Sequence, residues 1–137
     1  DGLLRIYTHD GMKTGHAVDS KLLWAMGNYS RFVRPGAVRL DIDAYNDEGD
    51  IVKEGDTRPY GTMLSAYRNV DGKLVVVAIN YSDRLCPITL NVDGKPHRWN
   101  MYRTSDISAE SLLPIGSAID KTTLTPRSIT TFVSEGQ

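Results

Sequence analysis

Six acidic or amide residues between positions 41 and 50 are the first group in this sequence that could do chemistry. They are Asp41, Asp43, Asn46, Asp47, Glu48 and Asp50. Their oxygen atoms suit Ca²⁺, but a calcium loop needs about six to eight oxygen ligands at a defined spacing. The EF-hand pattern fails here because the register that ends at Gly49 begins with Ala44 rather than Asp. We therefore interpret the cluster as solvated charge and predict neither a metal site nor a cofactor.

Paired carboxylates are the second candidate, because glycosidases and aspartic proteases direct two of them at one scissile bond. The four glutamates are Glu48, Glu54, Glu110 and Glu135, and all fall in predicted loops or in the tail. Nothing in the sequence brings two of them to facing strand ends. We interpret them as solvated loop charges and assign no catalytic residue.

Histidine and cysteine chemistry is the third candidate. His9 and His16 share one predicted loop, where a pair could bind a metal or take part in acid–base catalysis. No third ligand is evident, so we expect surface histidines, and His97 stands apart from both. Cys86, the one cysteine, is predicted to be a small core residue.

Aromatic residues on predicted strands support a carbohydrate-binding hypothesis, because flat rings stack on the faces of sugars. A platform could be formed by Tyr60, Tyr67, Trp99 and Tyr102. Packing in the core and across strands is the more common use of strand aromatics. The sequence leaves both uses open.

Composition narrows the class of protein. The 137 residues carry a formal net charge of −1 and 40% hydrophobic residues, which is typical of a globular domain. No run of Lys or Arg indicates a nucleic-acid footprint. No apolar stretch approaches the roughly 20 residues that cross a bilayer. We therefore expect neither nucleic acid nor membrane as a partner.

Residues 20–33 are predicted to form a helix that Asp19 or Ser20 caps. Helical spacing puts several apolar side chains on one face, with one more beside it: Leu22, Met26, Tyr29, Val33 and the flanking Leu23. Pro35 cannot continue a helix, so the helix must end there.

From residue 37 onward the hydrophobic period changes to two, which predicts strands. The predicted elements are a half-buried strand over 37–43, a hairpin of 60–68 with 73–80, a second hairpin of 85–92 with 96–103, an irregular stretch over 104–126, and a last strand over 127–134. Residues 1–18 are expected to form a loop with a small hairpin. The fold class is mainly β: an antiparallel β-sandwich preceded by one N-terminal α-helix.

One long segment, residues 23–39 (LWAMGNYSRFVRPGAVR), resembles the C-terminal part of glycoside hydrolase family 30. Supporting matches follow in order at residues 1–4, 71–80, 102–105 and 127–133. The resemblance therefore covers nearly the whole chain.

The resemblance implies a division of the chain. Residues 1–36 would be the remnant of the last βα unit of a (β/α)8 barrel, and residues 37–137 the β-sandwich side domain. The connection over residues 1–18 would then lie near the active-site face of the barrel. The family's two catalytic glutamates come from barrel strands that no position here matches.

The resemblance also implies a role. The chain would be a non-catalytic portion of a retaining enzyme that acts on β-linked glycans, and its partner would be the missing barrel. The parent enzyme would be secreted, periplasmic or on the cell surface. The helix residues Leu22, Leu23, Met26 and Tyr29 would face that barrel, so in its absence they must contact the sandwich, self-associate or stay exposed. A carbohydrate-binding module remains the alternative.

Overall fold

The computed structural model describes residues 2–45, the backbone of residues 51–52, and residues 62–136. In chain order its elements are β1 (Leu4–His9), β2 (Thr14–Asp19), α1 (Lys21–Ser30), β3 (Val38–Leu40), β4 (Ala44–Tyr45), β5 (Ile51–Val52), β6 (Thr62–Arg68), β7 (Leu74–Asn80), β8 (Cys86–Thr89), β9 (Arg98–Ser105), β10 (Leu113–Ile119), β11 (Lys121–Leu124) and β12 (Ser128–Ser134).

A six-stranded antiparallel sheet organises the fold, with the strand order β10-β9-β12-β7-β6-β3. Strand β7 is apolar on both faces. It lies between β12 and β6, and both of its faces are largely buried. This confirms the predicted hairpin of β6 with β7 and the central position of its second strand.

The predicted sandwich is confirmed, because a two-stranded sheet of β8 and β11 accompanies the main sheet. The core joins side chains of both layers. Its buried members are Ala66, Val76, Ala78, Trp99, Met101, Leu124 and Phe132. Cys86 packs against this cluster, in agreement with its predicted role as a small core residue.

Helix α1 packs on the opposite face of the main sheet, over β9 and β12. Side chains alternate along a strand, so Val75 and Val77 face this side, and both are 0% exposed. No described helix is long and apolar enough to cross a membrane.

The second predicted hairpin, of residues 85–92 with 96–103, is wrong. Strand β8 pairs with β11, whereas β9 pairs with β10 and β12 in the other sheet. Asp93 and Gly94 do form a tight turn, but it closes only the single bridge between Val92 and Lys95. The chain then passes from one layer to the other, which a local turn signal does not reveal.

The prediction of an irregular segment over 104–126 is also wrong, because β10 and β11 lie within it. Pro114 and Gly116 interrupt the strand pattern of β10. The pairing of β10 with β9 shifts register between these two residues, so the strand continues through a bulge.

In the N-terminal third the expected small hairpin forms, whereas the predicted strand and the predicted helix cap differ from the structure. The first residues form the small hairpin of β1 and β2. The strand predicted over 37–43 spans only Val38–Leu40, which is an edge strand, and its Val38 is 63% exposed. Ser20 occupies the N-cap position of α1 without capping it, and its hydroxyl donates to the Leu3 carbonyl instead.

Gly36 joins the helical part of the chain to the first strand of the main sheet. Its φ of +87° favours glycine, and an added Cβ would lie 2.8 Å from Val70 Cγ2. Gly72 has a similar φ of +85°, with no atom within 4 Å of an added Cβ.

We predict that Gly72→Ala lowers the free energy of unfolding by about 1 kcal/mol, because only the backbone is strained. Gly36→Ala should cost up to about 1 kcal/mol more, because the exposed Val70 side chain must turn away from the added methyl group. Urea denaturation measures both. In the double variant with Val70→Ala, the extra destabilisation of Gly36→Ala over Gly72→Ala should disappear. Equal losses of stability in the two single glycine variants would show that Val70 does not restrict position 36.

Candidate functional site

Asn28 fixes helix α1 on the sheet. It is 0% exposed, and its amide donates to Thr131 Oγ1 at 3.0 Å while the Thr131 hydroxyl donates to the Asn28 carbonyl at 2.6 Å. The same amide lies 3.3 Å from the carbonyl oxygens of Tyr102 and Ile129. A polar side chain is therefore the buried centre of this helix–sheet contact.

Lys21 ties the beginning of α1 to the segment that follows β9. Its ammonium donates to the carbonyls of Ile107 at 2.7 Å and Glu110 at 2.8 Å, and to Ser111 Oγ at 2.9 Å. A further carbonyl, that of Ser108, lies at 3.3 Å. The cation thus gathers the backbone acceptors of this segment around the first turn of the helix.

Glu110 stabilises that same segment from inside. Its carboxylate accepts two bonds from Arg103, at 2.7 and 2.8 Å, and one from the Ser105 hydroxyl at 2.7 Å. The hydrogen bond from Arg103 holds the pKa of Glu110 below its ordinary value, against the opposing effect of burial. The prediction that Glu110 is a solvated loop charge is therefore wrong.

Asn69 fixes the other end of α1. Its amide nitrogen donates to the Phe32 carbonyl at 2.7 Å, and its amide oxygen accepts from the Arg34 backbone N–H at 3.0 Å. Beyond the helix, Phe32 packs on Tyr102 with ring centroids 4.5 Å apart. The guanidinium of Arg31 lies 5.5 and 5.7 Å from the two ring centroids.

The predicted apolar face of α1 is not the face that packs on the sheet. Leu22 is 50% exposed and Met26 is 51% exposed, while Leu23 and Tyr29 are half-buried. Burial raises the pKa of the Tyr29 hydroxyl above its ordinary value. Leu22 and Met26 form what we call the outer stripe of α1.

The residues of the candidate sugar platform do not lie together on one face of the sheet. Trp99 is 1% exposed and belongs to the core, where it meets Phe132 edge-on. Tyr102 lies on the opposite face of the same strand, beneath Phe32, and Tyr67 is half-buried on β6. Tyr60 lies outside the described residues. Sugar binding through these four residues stays a prediction.

Of the other chemical candidates, only His9 and His16 are brought together in the part of the chain that the structure describes, with ring centroids 5.8 Å apart. His9 and His16 lie on the hairpin of β1 and β2, and His97 lies before β9 beside Trp99. Asp41 and Asp43 are exposed. The remaining members of the acidic cluster, and Glu54, lie outside the described residues.

Sequence reasoning missed the residues that dock the helix, Lys21, Asn28 and Asn69. A signal for two of them exists. Asn28 follows Lys21 by seven positions, so both lie on one side of α1, away from the outer stripe. Asparagine is also a poor helix former, so in mid-helix it indicates that its side chain has a partner.

A family model gives this fold a place among known proteins. The model of the glycosyl hydrolase family 30 beta sandwich domain matches residues 36–132, which is most of the chain. The chain therefore belongs to glycosyl hydrolase family 30, of which it carries the β-sandwich domain. This confirms the resemblance found in the sequence.

Solved structures agree with this assignment. A conserved exported protein from Bacteroides fragilis is 28% identical with a TM-score of 0.70, over 96% of this chain and 26% of that one. A family 30 endoxylanase from Clostridium papyrosolvens C71 is 25% identical with a TM-score of 0.63, over 86% and 28%. The catalytic domain of xylanase C from Talaromyces cellulolyticus is 28% identical with a TM-score of 0.61, over 88% and 25%. The chain thus spans about a quarter of the length of these proteins.

We predict that Asn28→Ala lowers the free energy of unfolding by about 1 to 2 kcal/mol, because it removes the buried amide that donates to Thr131 Oγ1. Ser30→Ala changes an exposed residue of the same helix and should stay within about 0.5 kcal/mol of wild type. Urea denaturation compares the two. Equal effects would mean that Asn28 does not hold the helix.

We predict that Glu110→Gln lowers the free energy of unfolding at pH 7 by about 2 kcal/mol, because it weakens charged hydrogen bonds. A carboxyl with a lowered folded-state pKa stabilises the fold above its unfolded-state pKa, and this contribution is lost as the pH falls through the folded-state value. The difference in the free energy of unfolding between wild type and Glu110→Gln should therefore become smaller below about pH 4.

The matched control for this variant is Glu135→Gln. Glu135 lies 3.8 Å from Arg98 in an exposed pair, so the change should cost well under about 1 kcal/mol. A gap between wild type and Glu110→Gln that is constant from neutral to acidic pH would refute the ionic role of Glu110.

Proposed function

We propose that this chain is the non-catalytic C-terminal portion of a family 30 enzyme, and that it supports the catalytic (β/α)8 barrel. Residues 1–36 complete the last βα unit of that barrel, and residues 37–137 form the side domain beside its cleft. The observation that carries the proposal is the orientation of α1, whose Asn28 side is buried on the sandwich while its outer stripe is exposed.

If the sandwich were the only surface that α1 packs on, the helix would be expected to bury its apolar side there. Here Leu22 and Met26 each leave about half of their surface in water. Full burial of such a side chain stabilises a protein by about 1.5 to 3 kcal/mol. A second packing surface over the outer stripe therefore accounts for the residue types on this side of α1.

The hairpin of β1 and β2 supports the same interface. Every residue of its two strands is exposed, with Leu4 at 52% and Ile6 at 72%. An isolated two-stranded hairpin is at best marginally stable in water. The barrel supplies the surface that such a hairpin needs, just before the chain enters α1.

The similar proteins support a proposal for the activity of the whole enzyme. Two of the similar proteins are described as xylanases and one as an exported protein. We infer a parent enzyme that is a retaining O-glycosyl hydrolase, acts on β-linked glycans and is secreted, periplasmic or on the cell surface. Its catalytic glutamates lie on the barrel, outside this chain.

A second copy of this chain is the competing occupant of the outer stripe. Self-association through Leu22, Leu23, Met26 and Tyr29 would bury the same surface. Sedimentation velocity over a range of protein concentrations distinguishes self-association from binding to the barrel. We expect this chain alone to sediment as a monomer at every concentration.

We predict that Leu22→Asp and Met26→Asp each weaken binding to the separately expressed barrel of the parent enzyme by more than about tenfold, since a charge replaces an apolar contact. Calorimetry measures the affinity, and circular dichroism checks that the variants fold. Leu85→Asp is the matched control, because Leu85 is also exposed, at 65%, but lies just before β8 in the other sheet. Wild-type affinity in both stripe variants, or an equal loss in Leu85→Asp, would overturn the proposal.

A further inference from the structure

The hairpin of β1 and β2 places two histidines side by side on one of its faces. His9 pairs with Thr14 and His16 pairs with Tyr7, so the two imidazoles occupy neighbouring, diagonal positions on opposite strands. Their ring centroids lie 5.8 Å apart, and their planes are inclined by 23°. The apolar side chains of β1 that we assign to the barrel contact point to the other face, because side chains alternate along a strand.

The ring nitrogens of this histidine pair are available to a ligand. Both residues are exposed, and neither imidazole has a hydrogen-bond partner in the described part of the chain. His97 differs, because its Nδ1 lies 3.0 Å from the carbonyl oxygen of Lys95. The ring of Tyr7 stacks on that of His16, with centroids 5.3 Å apart. Stacking covers a face of the imidazole, whereas the lone pair of its nitrogen lies in the ring plane and stays accessible.

The separation of the two rings fits joint coordination of one metal ion. Imidazole nitrogens bind Zn²⁺ at about 2.0 to 2.1 Å, so two imidazole ligands of a tetrahedral site have ring centroids about 5.3 Å apart, and a linear arrangement sets an upper limit of about 6.5 Å. The observed separation of 5.8 Å lies between these two values. Small rotations of two exposed side chains are therefore enough to direct both nitrogens at one ion.

We propose that His9 and His16 together bind one divalent transition-metal ion, which links β1 to β2. Imidazole suits Cu²⁺, Ni²⁺ and Zn²⁺, and among these ions a given site binds Cu²⁺ most tightly. No group of three or more His, Cys, Asp or Glu side chains that could hold a metal occurs among the described residues, so water completes the coordination. The ion stabilises a hairpin whose strand residues are all exposed and which is at best marginally stable by itself.

Calorimetric titration of this chain with CuCl₂ and with NiCl₂ tests the proposal. We expect one ion to bind per chain, more tightly for Cu²⁺ than for Ni²⁺. His9→Ala and His16→Ala should each weaken binding by about tenfold or more, since loss of an outer-shell partner alone costs roughly tenfold and a ligand contributes at least as much. His97→Ala removes the remaining histidine of the chain and is the matched control, with wild-type affinity expected.

A gain of affinity tests the same face in the opposite direction. Thr14→His adds a third imidazole directly opposite His9 and should tighten Cu²⁺ binding by about tenfold or more. Thr8→His adds an imidazole to the other face of the hairpin and should leave the affinity unchanged. Bound metal should also slow amide hydrogen exchange in β1 and β2, because it links the two strands.

Four outcomes would overturn the proposal. They are the absence of saturable binding below about 1 mM metal, binding that survives removal of both histidines, an equal loss of affinity in His97→Ala, and an equal gain in Thr14→His and Thr8→His. None of these outcomes bears on the proposed function, because the titration needs neither the barrel nor a glycan.

Discussion

The fold depends on a buried polar contact between one helix and one strand. Asn28 and Thr131 exchange hydrogen bonds in both directions where α1 crosses β12, and neither side chain is accessible to water. A buried amide or hydroxyl without a partner would cost about 1 to 3 kcal/mol, so rotation of the helix about its axis is penalised twice. An apolar contact would tolerate such a rotation more easily, because hydrophobic burial is not directional.

This orientation determines what the rest of the chain offers. Lys21 and Asn69 secure the two ends of α1, so the helix and the sandwich form one unit, and the outer stripe points away from it. The core between the two sheets buries Trp99 and Phe132 and includes no residue of α1. Among the described residues, α1 and the hairpin before it carry several of the exposed apolar side chains. We propose that the side domain meets the catalytic barrel through these side chains.

The parts of the fold that depend on local patterns could be predicted from the sequence. The helix before Pro35, the hairpin of β6 with β7, and the last strand all follow from hydrophobic period and turn residues. Strand partners at a distance could not be predicted. The pairing of β8 with β11 needs a contact between Cys86 and Leu124 that no local signal encodes, and the bulge at Pro114 and Gly116 hides β10. The candidate site shows the same limit: the residues that dock α1 are polar, and their partners, such as Thr131 for Asn28, lie far away along the chain.

Amide hydrogen exchange on this chain in solution is the sharpest test of whether polar contacts make α1 a fixed part of the sandwich. If they do, the hydrogen-bonded amides in the last turns of α1 should exchange nearly as slowly as those of β7 and β12, since the helix opens only when the sheet does. Fast exchange throughout α1, with slow exchange in β7 and β12, would refute this and would mean that the helix needs the barrel in order to dock.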